Sequence, residues 1–326
     1  MSKEQLNYII NSFNIKAECV DFSKINNYCY FDLALKPKGK VKDIQKYSDE
    51  ISLHLRASSK PNIKILHEKG LVRLEFVSKR QDKLNFYDYL LDQFTPNYNL
   101  PCLLGETIDS KPVWMDISKN PHMLIAGTTG SGKTVLLHTI IANCLFNFKC
   151  KLFLIDPKKI EFSEYENKIP VLYNYSDTIN LFDKLIEIMN YRYDLLKSGN
   201  VPMSFLEPIV VIIDEFADLI MQDSDNKFYN NLCNLAQKCR AANIYLIIST
   251  QRPSANIING NIKANFPARI SCKVSSNIDS KIILDSAGAE DLLGSGDALI
   301  KDHLRSFDRF QVAFVDPKET VQRLAL

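Results

Sequence analysis

The stretch His122–Thr134, HMLIAGTTGSGKT, decides the fold. It carries the whole pattern G-x-x-x-x-G-K-[ST], filled by Gly127, Thr128, Thr129, Gly130, Ser131, Gly132, Lys133 and Thr134. The apolar run Met123–Ala126 leads into it, and Val135-Leu136-Leu137 opens a helical pattern behind it. Strand, loop and helix in that order make a phosphate cradle. The glycines let backbone N–H groups curve around phosphate oxygens, and the helix N-terminus adds oriented donors and partial positive charge. Lys133 is expected to bridge the β- and γ-phosphates and Thr134 to ligand magnesium. A surface turn has no need of Lys and Thr at those places, so a nucleoside triphosphate is the expected ligand.

Downstream, IVVIIDEF sets Asp214 and Glu215 after five consecutive branched apolar residues, the mark of a strand covered on both faces. Two acids there fit triphosphate hydrolysis: Asp214 to hold magnesium, directly or through water, and Glu215 to polarise the attacking water. A capping pair for a helix over Ala217–Met221 explains one acid but not both. The next apolar run ends in Ser249-Thr250-Gln251-Arg252-Pro253, where Thr250 and Gln251 are candidates for sensing the γ-phosphate.

Around this centre the chain alternates strand and helix patterns. Strands are predicted at Leu152–Ile155, Ile209–Ile213, Ile244–Ile248, Arg269–Val274, Ala298–Ile300 and Gln311–Val315, with helices at Ile179–Leu196 and Phe228–Arg240. Such alternation implies a mostly parallel sheet with its ligand at the carboxyl ends of the strands. A hairpin is expected from Leu100–Leu104 and Val113–Ile117 about Asp109-Ser110-Lys111-Pro112.

The first part reads as a separate α+β module. Its strands are Glu18–Phe22, Tyr28–Leu35, Ile63–Leu66 and Leu71–Val77, with a turn at Glu68-Lys69-Gly70. Val41, Ile44, Tyr47, Ile51 and Leu55 recur at helical spacing, and Leu84–Phe94 reads as a connecting helix. Thr95-Pro96-Asn97 breaks it, which places a small domain at residues 1–95 and a larger one at 96–326. Lys36, Lys38, Lys40 and Lys42 read as a solvated loop, with a DNA-facing edge as the sharper alternative.

With 326 residues, 46% apolar and 24% charged, the composition is that of an ordinary globular chain of about two domains. No apolar run reaches the roughly 18–20 residues that span a membrane, and the N-terminus has no signal-peptide pattern. The eight cysteines form no C-x-x-C pair, and Cys144, Cys150, Cys233 and Cys239 are expected as buried thiols of a reduced, cytoplasmic protein. A net charge of +2 confines any nucleic-acid surface to a local patch.

The strings LIAGTTGSGKT, FLIDPKKIEF, VVIIDEFADLI, LAQKCRAANIYLIISTQRPS and IKANFPARISCKVSSNIDSKIILDSAGAEDLLGSGDAL together resemble the motor of the FtsK/SpoIIIE double-stranded DNA translocases. The resemblance covers Leu100–Val315 strongly and Leu6–Leu90 more loosely. It implies an α/β fold: a RecA-like P-loop NTPase core with a mostly parallel sheet, preceded by a small α+β domain. It also implies ATP and Mg2+, and a hexameric ring that threads duplex DNA through its pore. Arg240, in QKCRAAN, matches the family's arginine that reaches the neighbouring subunit's nucleotide; a helix-end cation is the plainer reading. Segments around Arg252–Lys263 and Ser275–Lys281 match the pore loops. From Arg252 to Lys281 there are five basic residues and one acid, enough for contacts with a phosphate backbone. Arg252, Lys263, Asn277 and Lys281 are the candidate DNA contacts. Asn277 stands where lysine is common in the family and Lys281 where arginine is common, which implies a weaker or differently shared grip.

Full-length members also have a membrane anchor, and many end in a winged-helix domain. On this reading the chain is an excised motor or a naturally minimal one. Two other classes compete. Similar ATPases of type VII secretion move proteins, but they have no need of basic pore loops. A regulatory nucleotide binder without turnover does not need Lys133, Asp214 and Glu215 together.

Overall fold

Alternation of apolar and polar side chains makes the first part of the chain a sheet with one buried face. The computed structural model describes residues 1–25, 28–57, 60–77, 84–91, 97–107, 110–199, 202–305 and 307–324. Compactness separates Met1–Lys83, with Glu106–Lys111 and Asp291–Leu293, from the remainder. The boundary expected at Thr95-Pro96-Asn97 falls mostly on residues 92–96, outside the described ones.

In the smaller unit, helix α1 (Lys3–Ser12) starts at Ser2, whose side chain accepts from Gln5 N. Leu6, Ile9 and Ile10 form its buried face. Strands β1 (Ala17–Ile25) and β2 (Tyr28–Leu35) follow. The helical run expected from Val41 to Leu55 is two helices, α2 (Val41–Lys46) and α3 (Ser48–Leu55), divided at Tyr47. Strands β3 (Asn62–Leu66) and β4 (Leu71–Val77) complete an antiparallel sheet of order β1-β2-β4-β3. Its buried face carries Cys19, Phe31, Leu33, Val72, Leu74 and Phe76.

The larger unit begins with α4 (Phe86–Leu91), β5 (Pro101–Thr107), β6 (Pro112–Asp116), β7 (His122–Ala126) and α5 (Lys133–Phe146). Then come β8 (Lys151–Ile155), β9 (Val171–Leu172), α6 (Tyr175–Lys197), β10 (Ile209–Ile213), α7 (Phe216–Gln222) and α8 (Lys227–Lys238). The chain ends with β11 (Ile244–Thr250), α9 (Gly260–Asn265), β12 (Ala268–Cys272), α10 (Asn277–Leu284), β13 (Asp297–Lys301), β14 (Asp308–Val312) and α11 (Pro317–Arg323).

Ten strands form one sheet in the order β6-β5-β14-β13-β12-β7-β11-β10-β8-β9. The strands from β12 to β9 in that order pair in parallel, while β13 and β14 run antiparallel. This is the mainly parallel α/β sheet expected. β7, β10 and β11 are buried at every position, so they carry continuous apolar runs and no alternation. Register sets Ile155 opposite Ile213, Ile213 opposite Ile248 and Thr250 opposite Ala126. The residues that follow these strand ends, Asp156, Asp214 and Gly127, therefore lie along one edge.

Behind that edge, Arg309 on β14 donates to both oxygens of Asp297 on β13, at 2.9 and 2.6 Å, and both side chains are buried. Removing one partner strands the other's charge. Arg309→Met is expected to cost about 3–5 kcal/mol in urea unfolding, while Asp297→Leu combined with Arg309→Met costs less than either single change. Equal losses in the single and double variants would show that the pair is not coupled.

Candidate active site

β7 delivers the phosphate loop, and α5 starts at Lys133 directly behind it. Gly132 sits at φ +101°, and a Cβ there would lie 2.2 Å from the backbone nitrogen of Gly296. Only glycine fits. The turn Gly294-Ser295-Gly296 thus closes on the loop: Ser295 N donates to Gly130 O at 3.2 Å and Gly296 N to Ser131 O at 2.8 Å. Sequence reasoning quoted this turn without giving it a role. Its signal was a Gly-Ser-Gly just before a buried strand.

Lys133 is buried, and its Nζ donates to Asp214 Oδ1 at 2.7 Å, to Asp214 O at 3.0 Å and to Ser249 Oγ at 3.0 Å. Asp214 Oδ2 is buried and has no hydrogen-bond partner among the described residues. Thr134, one residue after Lys133, is half-buried. These are hard oxygen donors suited to magnesium, which usually takes one or two protein oxygens and keeps its other positions for water and phosphate. Among the described residues no group of three or more His, Cys, Asp or Glu forms an all-protein metal site.

Glu215 occupies the N-cap position of α7, yet its side chain caps nothing there. The carboxylate turns to β11 instead. Thr250 Oγ1 donates to Oε1 at 2.6 Å and Gln251 N to Oε2 at 2.9 Å. This geometry disfavours capping as the reason for the acid. Gln251 also touches the phosphate loop, its Oε1 accepting from Thr129 Oγ1 at 3.1 Å. β11 lies between β7 and β10 in the sheet, so its tip comes out between the phosphate loop and the two acids.

A further contributor was missed. Past β8 the chain runs through Pro157–Phe162 at the same edge. Glu161 in this segment lies near Asp214 and Asp156, and the Thr134 hydroxyl stands alongside it. Burial and then the Asp214 charge raise its pKa, with Lys133 and Thr134 opposing. The FLIDPKKIEF string held this glutamate, but nothing local in the sequence says that it returns to the nucleotide edge.

Arg240 is exposed, in a 3-10 turn (Cys239–Ala242) just past α8, and forms no ion pair among the described residues. The turn precedes β11, and Arg240 acts electrostatically on His122 at the start of β7. It therefore lies at the amino-terminal edge of the sheet, opposite the phosphate loop. His122 itself is kept neutral by burial, its pKa pushed down to about 3.

The candidate DNA contacts divide. Arg252 and Lys281 are exposed. Lys263 is engaged: its Nζ donates to Asp285 Oδ1 at 2.8 Å. Asp285 also accepts from Arg269 at 2.5 Å and Lys301 at 3.0 Å. Burial opposes its ionisation, but the hydrogen bonds from Lys263, Lys301 and Arg269 hold its carboxyl far below the usual range. Asn277 donates to Glu290 Oε1 at 2.8 Å. Of the four cysteines expected as buried, Cys144 and Cys239 are, while Cys150 and Cys233 are half-exposed; all eight are free thiols.

Residues 93–205 and 202–255 match the family model described as FtsK/SpoIIIE family. The chain is 37% identical over 344 aligned positions to "DNA translocase FtsK" of Clostridium acetobutylicum, covering 98% of this chain and 45% of that protein. It is 34% identical to "DNA translocase SftA" of Bacillus subtilis, covering 92% of this chain and 34% of that protein. The chain thus spans less than half the length of these relatives. Among solved structures, the conjugation coupling protein TcpA of pCW3 superposes with TM-score 0.70 at 24% identity, over 98% of this chain and 99% of that one. The type VII secretion ATPase EccC of Thermomonospora curvata superposes with TM-score 0.61 at 19% identity, over 75% of this chain and 34% of that one. At those identities the structures speak for the fold. No helix among the described residues is long and apolar enough to cross a membrane. The chain belongs to the FtsK/SpoIIIE family.

Proposed function

We propose that this chain hydrolyses ATP to drive duplex DNA through a ring of six copies. The observation that carries the reading is the convergence of Lys133, Asp214, Glu215, Thr250 and Gln251 at one sheet edge, in a chain related over nearly its whole length to DNA translocases. The phosphate loop, residues 127–134, cradles the triphosphate, and Lys133 exchanges its bond to Asp214 for the β- and γ-phosphates. Asp214 Oδ2 and Thr134 would hold magnesium, which when bound neutralises charge on the phosphate oxygens. Glu215, oriented by Thr250 and Gln251, accepts the proton of the attacking water. Gln251 reports the γ-phosphate through its bond to Thr129.

Arg240 supplies the reason for a ring. It stands at the wrong edge to serve its own phosphates and is free to reach a neighbour's. Arg252 and Lys281 are the exposed cations that would grip the DNA backbone. Lys263 acts in a different way, by holding the segment through Asp285. The likeness in fold to secretion ATPases supports a second reading, in which the cargo is protein. The two part on one measurement: linear duplex DNA stimulates the ATPase on the first reading and leaves it unchanged on the second.

Lys133→Ala is expected to abolish nucleotide binding. Glu215→Gln should keep binding while slowing hydrolysis by about 10²–10⁴-fold, and a normal rate would refute its role as base. DNA affinity should fall steeply with salt. Arg252→Ala and Lys281→Ala should each flatten the logarithmic slope by about 0.9 and weaken all sequences alike. Loss confined to one sequence would contradict a backbone grip.

Arg240→Ala and Lys133→Ala proteins, each inactive alone, should regain DNA-stimulated ATPase when mixed. Some interfaces then pair an intact Lys133 with an intact Arg240. A finger is worth about 10³–10⁵ in rate, so recovery should stand clear of either parent. Absence of recovery in mixed rings verified by native mass spectrometry would point to a role in cis, a helix-end cation or strict coordination around the ring. The last is set apart by mixing an Arg240→Ala/Lys133→Ala chain with the parent, where activity then collapses at a low mutant fraction.

A further inference from the structure

The segment after β8 brings a cation to the water-activating acid. Asp156 is fully buried, and its carboxylate accepts five backbone N–H groups: Lys158 and Lys159 on Oδ1, at 3.1 and 3.0 Å, and Ile160, Glu161 and Phe162 on Oδ2, at 2.8, 2.9 and 3.1 Å. One carboxylate thus winds residues 158–162 into a fixed loop. The far end is fixed as well, because Phe162 is wholly buried against His138. β8 pairs with β10, and Asp214 N donates to Ile155 O at 3.0 Å, so the loop stands in front of the two acids.

Its two lysines go different ways. Lys159 lies over the Tyr173 ring, with Nζ 5.8 Å from the centroid. Lys158 Nζ lies 3.5 Å from Glu215 Oε2 and 3.9 Å from Asp218 Oδ2. Lys133 is bonded to Asp214 instead. Glu215 is 1% exposed, so its charge has little help from solvent.

Each carboxylate oxygen accepts one hydrogen bond among the described residues, Oε1 from the Thr250 hydroxyl and Oε2 from Gln251 N, and Lys158 stands beside Oε2 as an ion-pair partner. A carboxylate oxygen accepts about two hydrogen bonds, so acceptor capacity is left for a water.

We propose that Lys158 is a positioning residue for hydrolysis: through its ion pair it holds the Glu215 carboxylate in place to take the proton of the attacking water. The inference rests on Glu215 as the base. Lys158 itself touches neither the phosphates nor the water. It acts on the hydrolytic step and not on nucleotide affinity, which sets it apart from Lys133.

The test compares Lys158→Met, Lys158→Arg, Glu215→Gln and the double variant Lys158→Met/Glu215→Gln in the full chain. Hydrolysis is read under single-turnover conditions, and binding is read by titration with a fluorescent ATP analogue. Lys158→Met should hydrolyse roughly 10–100-fold more slowly, a part of the whole contribution of a positioned base. Its affinity for the analogue should stay within about twofold of the parent, and Lys158→Arg should recover most of the rate. In the Glu215→Gln background the Met change should cost nothing further, because the group it positions is gone.

A rate in Lys158→Met near that of the parent, with Glu215→Gln inactive, overturns the inference and leaves the base assignment standing. So does an equal further loss in the double variant, or a loss of affinity that accounts for the loss of rate. A normal rate in Glu215→Gln removes the base assignment and the inference with it. If Lys158→Met loses its cooperative melting transition, Lys158→Gln takes its place in each comparison.

Discussion

The buried bond from Lys133 to Asp214 ties the site together. At 2.7 Å it joins the first turn of α5 to the end of β10, and the same ammonium reaches Ser249 on β11. Ser249 in turn donates to the Asp214 carbonyl. Three elements distant in sequence are thus fixed at one point. A pair this deep is weak evidence of stability, because desolvation offsets much of the attraction. Its value is positional: with ammonium and carboxylate both out of water, neither has another low-energy place to go. On the proposed reading a triphosphate would compete for Lys133 and free the Asp214 carboxylate for magnesium, so that one ion pair would link phosphate recognition to metal recognition.

That arrangement follows from the strand order. β11 is inserted between β7 and β10, and its last residues face the phosphate loop on one side and the acids on the other. Thr250 and Gln251 bond to Glu215 while Gln251 bonds to Thr129, so a chain of hydrogen bonds, exposed at Thr129 and buried at Thr250, joins the loop to the acid. Sequence neighbours of Glu215 could not supply this. The capping geometry open to an acid at the start of α7 is left unused.

Much of this was legible in the sequence because it is local. The phosphate loop needs its glycines and its Lys-Thr at fixed spacing, and the branched run Ile209–Ile213 can only be a strand covered on both faces. What was not legible depends on long-range closure. Gly296 meets Gly132 across more than a hundred and sixty residues, and no local pattern announces that approach. Lys158 and Lys159 are alike in the sequence, and only the five bonds to Asp156 decide which one faces Glu215. Lys263 read as a free cation because the sequence does not show that the loop holding Asp285 folds back on it. The helix from Val41 to Leu55 was expected whole, since its apolar spacing continues through the break at Tyr47.

Both candidate DNA segments start at a bond to the phosphate loop. Gln251, bonded to Thr129, precedes Arg252, whose own N–H donates to Thr250 Oγ1 at 3.0 Å. Lys273 O accepts from Thr128 N at 2.9 Å and from its hydroxyl at 3.2 Å, two residues before Ser275. The far ends of the segments are joined to each other, because Arg269 donates to Lys263 O and to Ile283 O while Asp285 holds both Lys263 and Arg269. A change at Thr128 and Thr129 therefore reaches both segments at their roots, and the Asp285 cluster keeps their ends from responding separately. The two segments are therefore tied to one loop at their starts and to each other at their ends, so neither is an independent element of the fold.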